Sequence, residues 1–218
     1  MNQQPTITVL SGGFGAERDV SLASGQALAD ALEQDFSVDL IDLREAVLPS
    51  GLDPLTTVVF PVVHGTFGED GTLQTLLEEK DFSYAGSDRI SSQLCMDKGR
   101  AKTKVAEVGV NGAPDCYFQD PESVDFENIL SELGNDLVIK PIDQGSSVAL
   151  FVIRGREEFQ NALSTIDEGN WMIERRIFGR EMTVGVLRGE SMGVVEVIPD
   201  GGVYDFKRKY SVGATEYR

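Results

Sequence analysis

The chain has one histidine, two cysteines and one tryptophan among 218 residues, and only 19 basic side chains against 36 acidic ones. So few imidazoles and thiols argue against a zinc site of His and Cys ligands. Cys95 and Cys116 sit beside apolar or aromatic neighbours and read as packed, reduced thiols rather than as a disulfide or metal pair. The deficit of positive charge gives a formal net charge of −17. Such a surface repels nucleic acid and anionic membranes, which both need clustered Lys and Arg. No apolar run approaches a membrane span, and the N-terminus lacks the basic-then-apolar order of a signal peptide. Together these absences point to a cytoplasmic protein whose partners are small molecules. An anionic ligand is still possible, provided that its lysines are placed locally.

What is present suffices for real cores: 41% of the residues are hydrophobic, and 218 residues make one large domain or two small ones. Thr6 to Leu10 reads as a strand, followed by a glycine turn and a helix opened by Ser21. Phe36 to Leu43 alternates like a strand. Thr57 to Val63 is almost wholly apolar, as a central parallel strand is. Leu73, Leu76 and Leu77 then mark a helix. This order predicts a small open α/β sheet with ligand loops at the carboxyl ends of its strands. Beyond residue 94 the pattern changes. A helix over 91–108, broken near Gly99, precedes a strand at 114–118 and a helical stripe of Phe126, Ile129, Leu130 and Leu133. A hairpin over 137–153, a helix through Phe159 and Leu163, and a strand at 171–173 follow. Two strands from Glu181 to Ile198 flank a turn at Arg188-Gly189-Glu190, with no covering helix expected after them. One face of that last sheet is therefore expected to be bare. No repeat or low-complexity segment is present.

The hairpin is the most informative segment. Its first strand ends in Lys140-Pro141, and Gly145-Ser146-Ser147 turns the chain back. Backbone N–H groups in such a turn, with a lysine beside them, suit a phosphate; a surface hairpin with a solvated lysine is the plain alternative. Gly12-Gly13-Phe14-Gly15 after the first strand leads to Glu17, a carboxylate suited to an ammonium group and equally ordinary near a helix N-terminus. His64 ends the buried strand, among glycines and beside Glu69 and Asp70. His64 can meet a substrate carboxylate, and Glu69 can orient it.

Taken together and in order, these segments resemble the D-alanine–D-alanine ligase family of the ATP-grasp superfamily. The carriers are Gly12-Gly13…Ala16-Glu17-Arg18…Val20-Ser21, His64-Gly65…Gly68-Glu69-Asp70-Gly71-Thr72-Leu73-Gln74, Tyr84…Gly86-Ser87, Met96-Asp97-Lys98, Val138…Lys140-Pro141…Gly145-Ser146-Ser147-Val148, Glu174, and Tyr204-Asp205…Lys209-Tyr210. The resemblance implies an α/β fold: an open parallel N-terminal α/β domain over 1–93, then an ATP-grasp domain with a central subdomain over 94–179 and the start of a C-terminal one over 180–218. It implies ATP-dependent ligation of two D-alanines through an acylphosphate, for peptidoglycan synthesis. Glu17, Ser146 and Tyr210 would form a hydrogen-bonded catalytic set, with Glu17, His64 and Glu69 on the substrate. Lys98, Lys140, Ser146, Ser147 and Lys209 would serve the ATP phosphates, and Glu174 and Glu181 the adenine and ribose. Tyr210, where ester-forming relatives tend to carry phenylalanine, favours the dipeptide product. A homodimer through the N-terminal region is implied too.

The resemblance places the family's Mg2+ ligands, and an arginine that steadies the tetrahedral intermediate, on a more C-terminal segment, so the residues quoted above include no metal ligand. A C-terminally truncated ligase with little or no activity of its own is therefore expected. The alternatives are a non-catalytic nucleotide or amino-acid binding relative and another ATP-grasp carboxylate–amine ligase. Gly15, Ile142 and Ala149 stand where the family usually has a serine, a small or polar residue, and a glycine.

Overall fold

The computed structural model describes residues 4–211 and 213–218. The chain forms two compact units, Met1–Val110 with Asp143–Gly145, and Asn111–Ile142 with Ser146–Arg218.

The first unit runs β1 (Thr6–Gly12), α1 (Arg18–Leu32), β2 (Val38–Leu43), β3 (Thr57–Pro61), α2 (Thr72–Glu78), β4 (Ser83–Tyr84), α3 (Arg89–Met96) and α4 (Lys98–Ala106). Its sheet has the order β2-β1-β3-β4, with all pairings parallel. Central strand β1 is buried along nearly its whole length, as a strand covered on both faces is. Leu10 packs with Val59, Leu73 and Leu77, while Ile7 and Val9 pack with Ala29 of α1. Alternation along one strand thus feeds two cores, and each fully buried aliphatic side chain contributes about 1.5–3 kcal/mol. Gly25 lets α1 lie against β1, since a Cβ there would come within 2.4 Å of Ser11 Cβ.

The break expected near Gly99 falls earlier. Asp88 caps α3 by accepting from Ser91 N at 2.7 Å, and Asp97 caps α4 by accepting from Arg100 N at 2.9 Å. A carboxylate that satisfies a new helix's orphan N–H groups ends the preceding one more effectively than a glycine within the first turn. Residue 94, where a domain boundary was expected, lies inside α3, and the first unit runs on to Val110. Cys95 is exposed rather than packed, and Cys116 is half-buried; both are free thiols.

The second unit contains β5 (Asp115–Phe118), a 3-10 turn at Pro121–Ser123, α5 (Phe126–Leu133), β6 (Asp136–Pro141), β7 (Phe151–Arg154), α6 (Gly155–Leu163), β8 (Trp171–Arg175), β9 (Glu181–Leu187), β10 (Glu190–Pro199), α7 (Phe206–Tyr210) and β11 (Thr215–Tyr217). Antiparallel strands give one sheet of order β5-β8-β6-β7 and another of order β11-β10-β9. Phe126, Ile129 and Leu133 of α5 and Phe159 of α6 share one core with Leu137, Ile139, Ile153 and Ile173. Strand β6 alternates: Leu137 and Ile139 are fully buried in that core, so Val138 and Lys140 take the opposite face.

Two elements after β10 escaped the sequence pattern, the short helix α7 and the edge strand β11. They leave one face of the last sheet exposed all the same. Val184 pairs with Val194 across β9 and β10, and these two, with Met182 and Val186, are exposed.

Candidate functional site

In the first unit, the glycine loop after β1 is clamped by the opening turn of α1. Arg18 donates to the Gly13 carbonyl at 2.7 Å, the Leu43 carbonyl at 3.3 Å and Asp42 Oδ2 at 2.7 Å. Ser21 Oγ accepts from Gly12 N at 2.9 Å and donates to the Val62 carbonyl at 2.5 Å. Gly12 has a φ of +88°, and a Cβ there would lie 2.3 Å from Asp42 Oδ1, so only glycine fits. The clamp fixes Glu17, which is 7% exposed. Its Oε2 sits over the backbone of Gly65, where an added Cβ would be 3.2 Å away. Lys98, at the start of α4, donates to the Gln144 carbonyl at 2.5 Å.

His64 follows β3 and, with Glu69, borders a cavity of about 390 Å³. Its Nδ1 lies 3.4 Å from Glu69 Oε1, while Glu69 Oε2 accepts from Gly65 N at 2.8 Å. The hydrogen bond with Glu69 lifts the imidazole above its ordinary 6.5, against burial, which lowers it. Burial pushes the Glu69 carboxyl up, but the His64 and Gly65 hydrogen bonds outweigh this and hold it below 4.5. The raised imidazole stabilises the fold fully below pH 6.5, and that contribution is lost as pH rises through the folded value. The depressed carboxyl contributes above pH 4.5 and is lost as pH falls through its folded value. The pair therefore contributes most between these limits. Glu69→Gln is expected to lower the melting midpoint more at roughly pH 5.5 than at roughly pH 8.5. Equal losses at both would leave Glu69 only its bond to Gly65.

In the second unit, a cavity of about 520 Å³ opens beside the polar face of β6. Val138, Leu150, Val152, Ile177 and Phe178 form apolar wall, and Glu174, Glu181, Ser147, Tyr204 and Lys209 supply polar groups. Cross-strand register explains the charges. Glu174 of β8 pairs with Val138, so Lys140, two residues on, is its diagonal neighbour on the same face. Their side chains form an ion pair and are 21% and 15% exposed.

The loop between β6 and β7 closes differently from expectation. The second strand begins at Phe151 rather than Val148, and the left-handed backbone falls on Ser146 (φ 49°), Ser147 (φ 58°) and Ala149 (φ 50°), not on Gly145. Two hydrogen bonds tie this loop to the segment after β10: Ser146 Oγ to Tyr210 OH at 2.7 Å, and Ser147 Oγ to the Tyr204 carbonyl at 3.0 Å. A non-glycine residue in that region costs about 1–2 kcal/mol. Ala149 is exposed, so its methyl gives little back in packing. Ala149→Gly is expected to raise stability by up to about 1 kcal/mol, read from the denaturant midpoint. A lower midpoint would mean that the alanine restrains the unfolded chain more than it strains the loop.

The structure thus brings Ser146 to Tyr210, Lys140 to Glu174 and His64 to Glu69, and it sets Glu174, Glu181, Ser147 and Lys209 around one cavity. Glu17 and Lys98 belong to the first unit. Arg18, Asp42 and Tyr204 have roles that the sequence alone does not disclose. Arg18 and Asp42 meet across 24 positions, a separation that carries no local signal, whereas Tyr204 offered one, an aromatic residue directly before a helix cap.

Comparison with known proteins follows the same division. Family models described as "D-ala D-ala ligase C-terminus" and "D-ala D-ala ligase N-terminus" match residues 106–218 and 42–87. A D-alanine–D-alanine ligase of Aquifex aeolicus is 39% identical over 97% of this chain and 73% of its own length. The crystal structure of D-alanine–D-alanine ligase from Bacillus anthracis complexed with ATP superimposes with a TM-score of 0.81 at 26% identity, over 100% of this chain and 71% of that one. The D-Ala:D-Ser ligase VanG of Enterococcus faecalis gives 0.77 at 26% identity, over 99% of this chain and 76% of its own.

Proposed function

Because the chain belongs to the D-alanine–D-alanine ligase family, we propose that it joins two D-alanines into D-alanyl-D-alanine, using ATP and passing through an acylphosphate. The observation that carries the reading is the second-unit cavity. Its aliphatic and aromatic wall suits a purine and Glu181 suits ribose hydroxyls, while Lys209 in the lining and Lys140, paired with the lining Glu174, supply positive charge for phosphates in a chain that has little. The chain's own groups then have simple duties. Glu17 binds the ammonium of the first D-alanine, and His64, oriented by Glu69, meets its carboxylate. That carboxylate takes the γ-phosphoryl group of ATP, releasing ADP. The amine of the second D-alanine attacks the acyl carbon, and phosphate leaves. Phosphoryl transfer depends mainly on positioning and charge neutralisation, which is what lysines on a fixed strand and a tied loop provide.

Among the described residues, no group of three or more His, Cys, Asp or Glu side chains could hold a metal ion. These residues do not make a magnesium site. No helix among the described residues is long and apolar enough to cross a membrane. The family's product and the acidic surface suit peptidoglycan synthesis in the cytoplasm.

A second reading, favoured by the likeness to a D-Ala:D-Ser ligase, keeps the first substrate and changes the acceptor. Both are tested by incubating the protein with ATP, magnesium, D-alanine and, in turn, D-alanine, D-serine or D-lactate as acceptor. Phosphate release and D-alanyl-D-alanine in equal amounts, above a Lys140→Ala control, would carry the first reading and overturn the expectation of little activity in this chain. Mixed product with D-serine in excess would move the reading to the second. Bound ATP with no D-alanine-dependent release would favour a binding relative.

A further inference from the structure

Tyr204, in the turn between β10 and α7, is where separate parts of the second unit meet. Its backbone carbonyl accepts the Ser147 hydroxyl at 3.0 Å. Its ring centroid lies 5.1 Å from Lys209 Nζ. Its hydroxyl is 2.8 Å from that of Tyr217 on edge strand β11. Tyr204, Ser147 and Lys209 all line the 520 Å³ cavity.

We propose that Tyr204 is a positioning residue for Lys209, its ring face holding the ammonium in the nucleotide cavity while its carbonyl fixes the same segment to the hairpin loop. The inference rests on the reading of that cavity as the ATP site.

A lysine on a short helix has four rotatable side-chain bonds and places its charge poorly unless something restrains it. Helix α7 has only five residues, Phe206–Tyr210, and carries Lys207, Arg208 and Lys209. Arg208 is committed elsewhere, to Asp205 and the Asp200 carbonyl. Of these three cations Lys209 faces an aromatic ring, and an electron-rich ring face attracts an ammonium without neutralising it. A carboxylate in that position would hold the lysine more strongly and would also repel a phosphate. The contact with Tyr217 explains a tyrosine rather than a phenylalanine, because it anchors the far end of the ring to β11. That hydrogen bond, with burial, pushes the Tyr204 phenol up to about 12, so the ring stays neutral at any working pH.

The test is the ratio of ATP to ADP affinity, measured by calorimetry with magnesium present, since a lysine on the terminal phosphate acts on ATP alone. Tyr204→Leu is expected to lose about tenfold in ATP affinity and less than about twofold in ADP affinity. Tyr204→Phe, which keeps the ring, should hold ATP within about twofold. Fluorinated phenylalanines at position 204 keep the shape and drain charge from the ring face; the ratio should fall stepwise with each added fluorine, which a purely structural role would not produce. They also serve if the leucine variant fails to fold. In a Lys209→Met background, Tyr204→Leu should change the ratio no further. A ratio that Lys209→Met collapses but that neither leucine nor fluorination moves overturns the inference and leaves the ATP reading standing. A ratio that Lys209→Met leaves unchanged overturns both.

Discussion

Lys140→Ala is expected to weaken ATP binding by between ten- and a hundredfold, the loss of one charge-assisted hydrogen bond of about 1.5–3 kcal/mol. The ion pair with Glu174 does not consume the lysine, since an ammonium has three donors and Glu174 takes one. The pair instead sets the direction of the side chain, which strand β6 has already turned away from the core shared by Leu137 and Ile139. The substitution acts twice. It removes a donor for phosphate, and it leaves the Glu174 carboxylate, 15% exposed, without that counter-charge beside the cavity. The second effect should lower fold stability by about 1–3 kcal/mol. Glu174→Gln in the same background should recover much of that stability but none of the nucleotide affinity. Calorimetric titration with ATP and a denaturant melt of the single and double variants separate the two effects. Unchanged affinity in Lys140→Ala would make the lysine a scaffold partner of Glu174 and nothing more.

How far the sequence discloses this protein depends on the range of the interaction concerned. The apolar run at 137–139 and the 126–133 stripe foretell β6 and α5, because a local run of apolar residues suffices to write each pattern. Glycine turns directly after buried strands mark Glu17 and His64 for the same local reason. The misses arise where a side chain answers to something distant. Asp97 ends α3 by capping α4, and the pattern of apolar residues does not register it. Helix α7 is five residues, three of them basic, and is held by Asp205 accepting from Arg208 N at 2.9 Å, so it has no apolar period to read. β11 is visible only as the partner of β10, through Val197 and Tyr217. Serines in left-handed backbone at 146 and 147 are stabilised by Tyr210 and Tyr204, more than fifty positions away. The clamp of Arg18 on Asp42 and the platform beneath Lys209 belong to the same class: the residues are plain in the sequence, but their partners are not.

Glu17→Gln should separate the two substrates. Glutamine has the same shape and lacks the charge, so the glycine loop, held by Arg18 and Ser21, has no reason to move. An ammonium loses a charged acceptor worth about 1.5–3 kcal/mol, and the affinity for D-alanine should fall by between ten- and a hundredfold. ATP affinity should stay within about twofold, because Glu17 is not among the residues that line the 520 Å³ cavity. The imidazole of His64 provides an internal check. Glu69 is the main cause of its raised pKa, and the charge of Glu17 adds to it. Removing that charge should bring the His64 pKa down toward 6.5, read from the imidazole proton resonances of the chain's one histidine. A fallen His64 pKa with D-alanine affinity intact would mean that the charge of Glu17 reaches His64 but that the ammonium is held elsewhere. Equal loss of D-alanine and ATP would mean that Glu17 is part of the scaffold. Loss of D-alanine alone, with the shift at His64, would place the first substrate between these two residues.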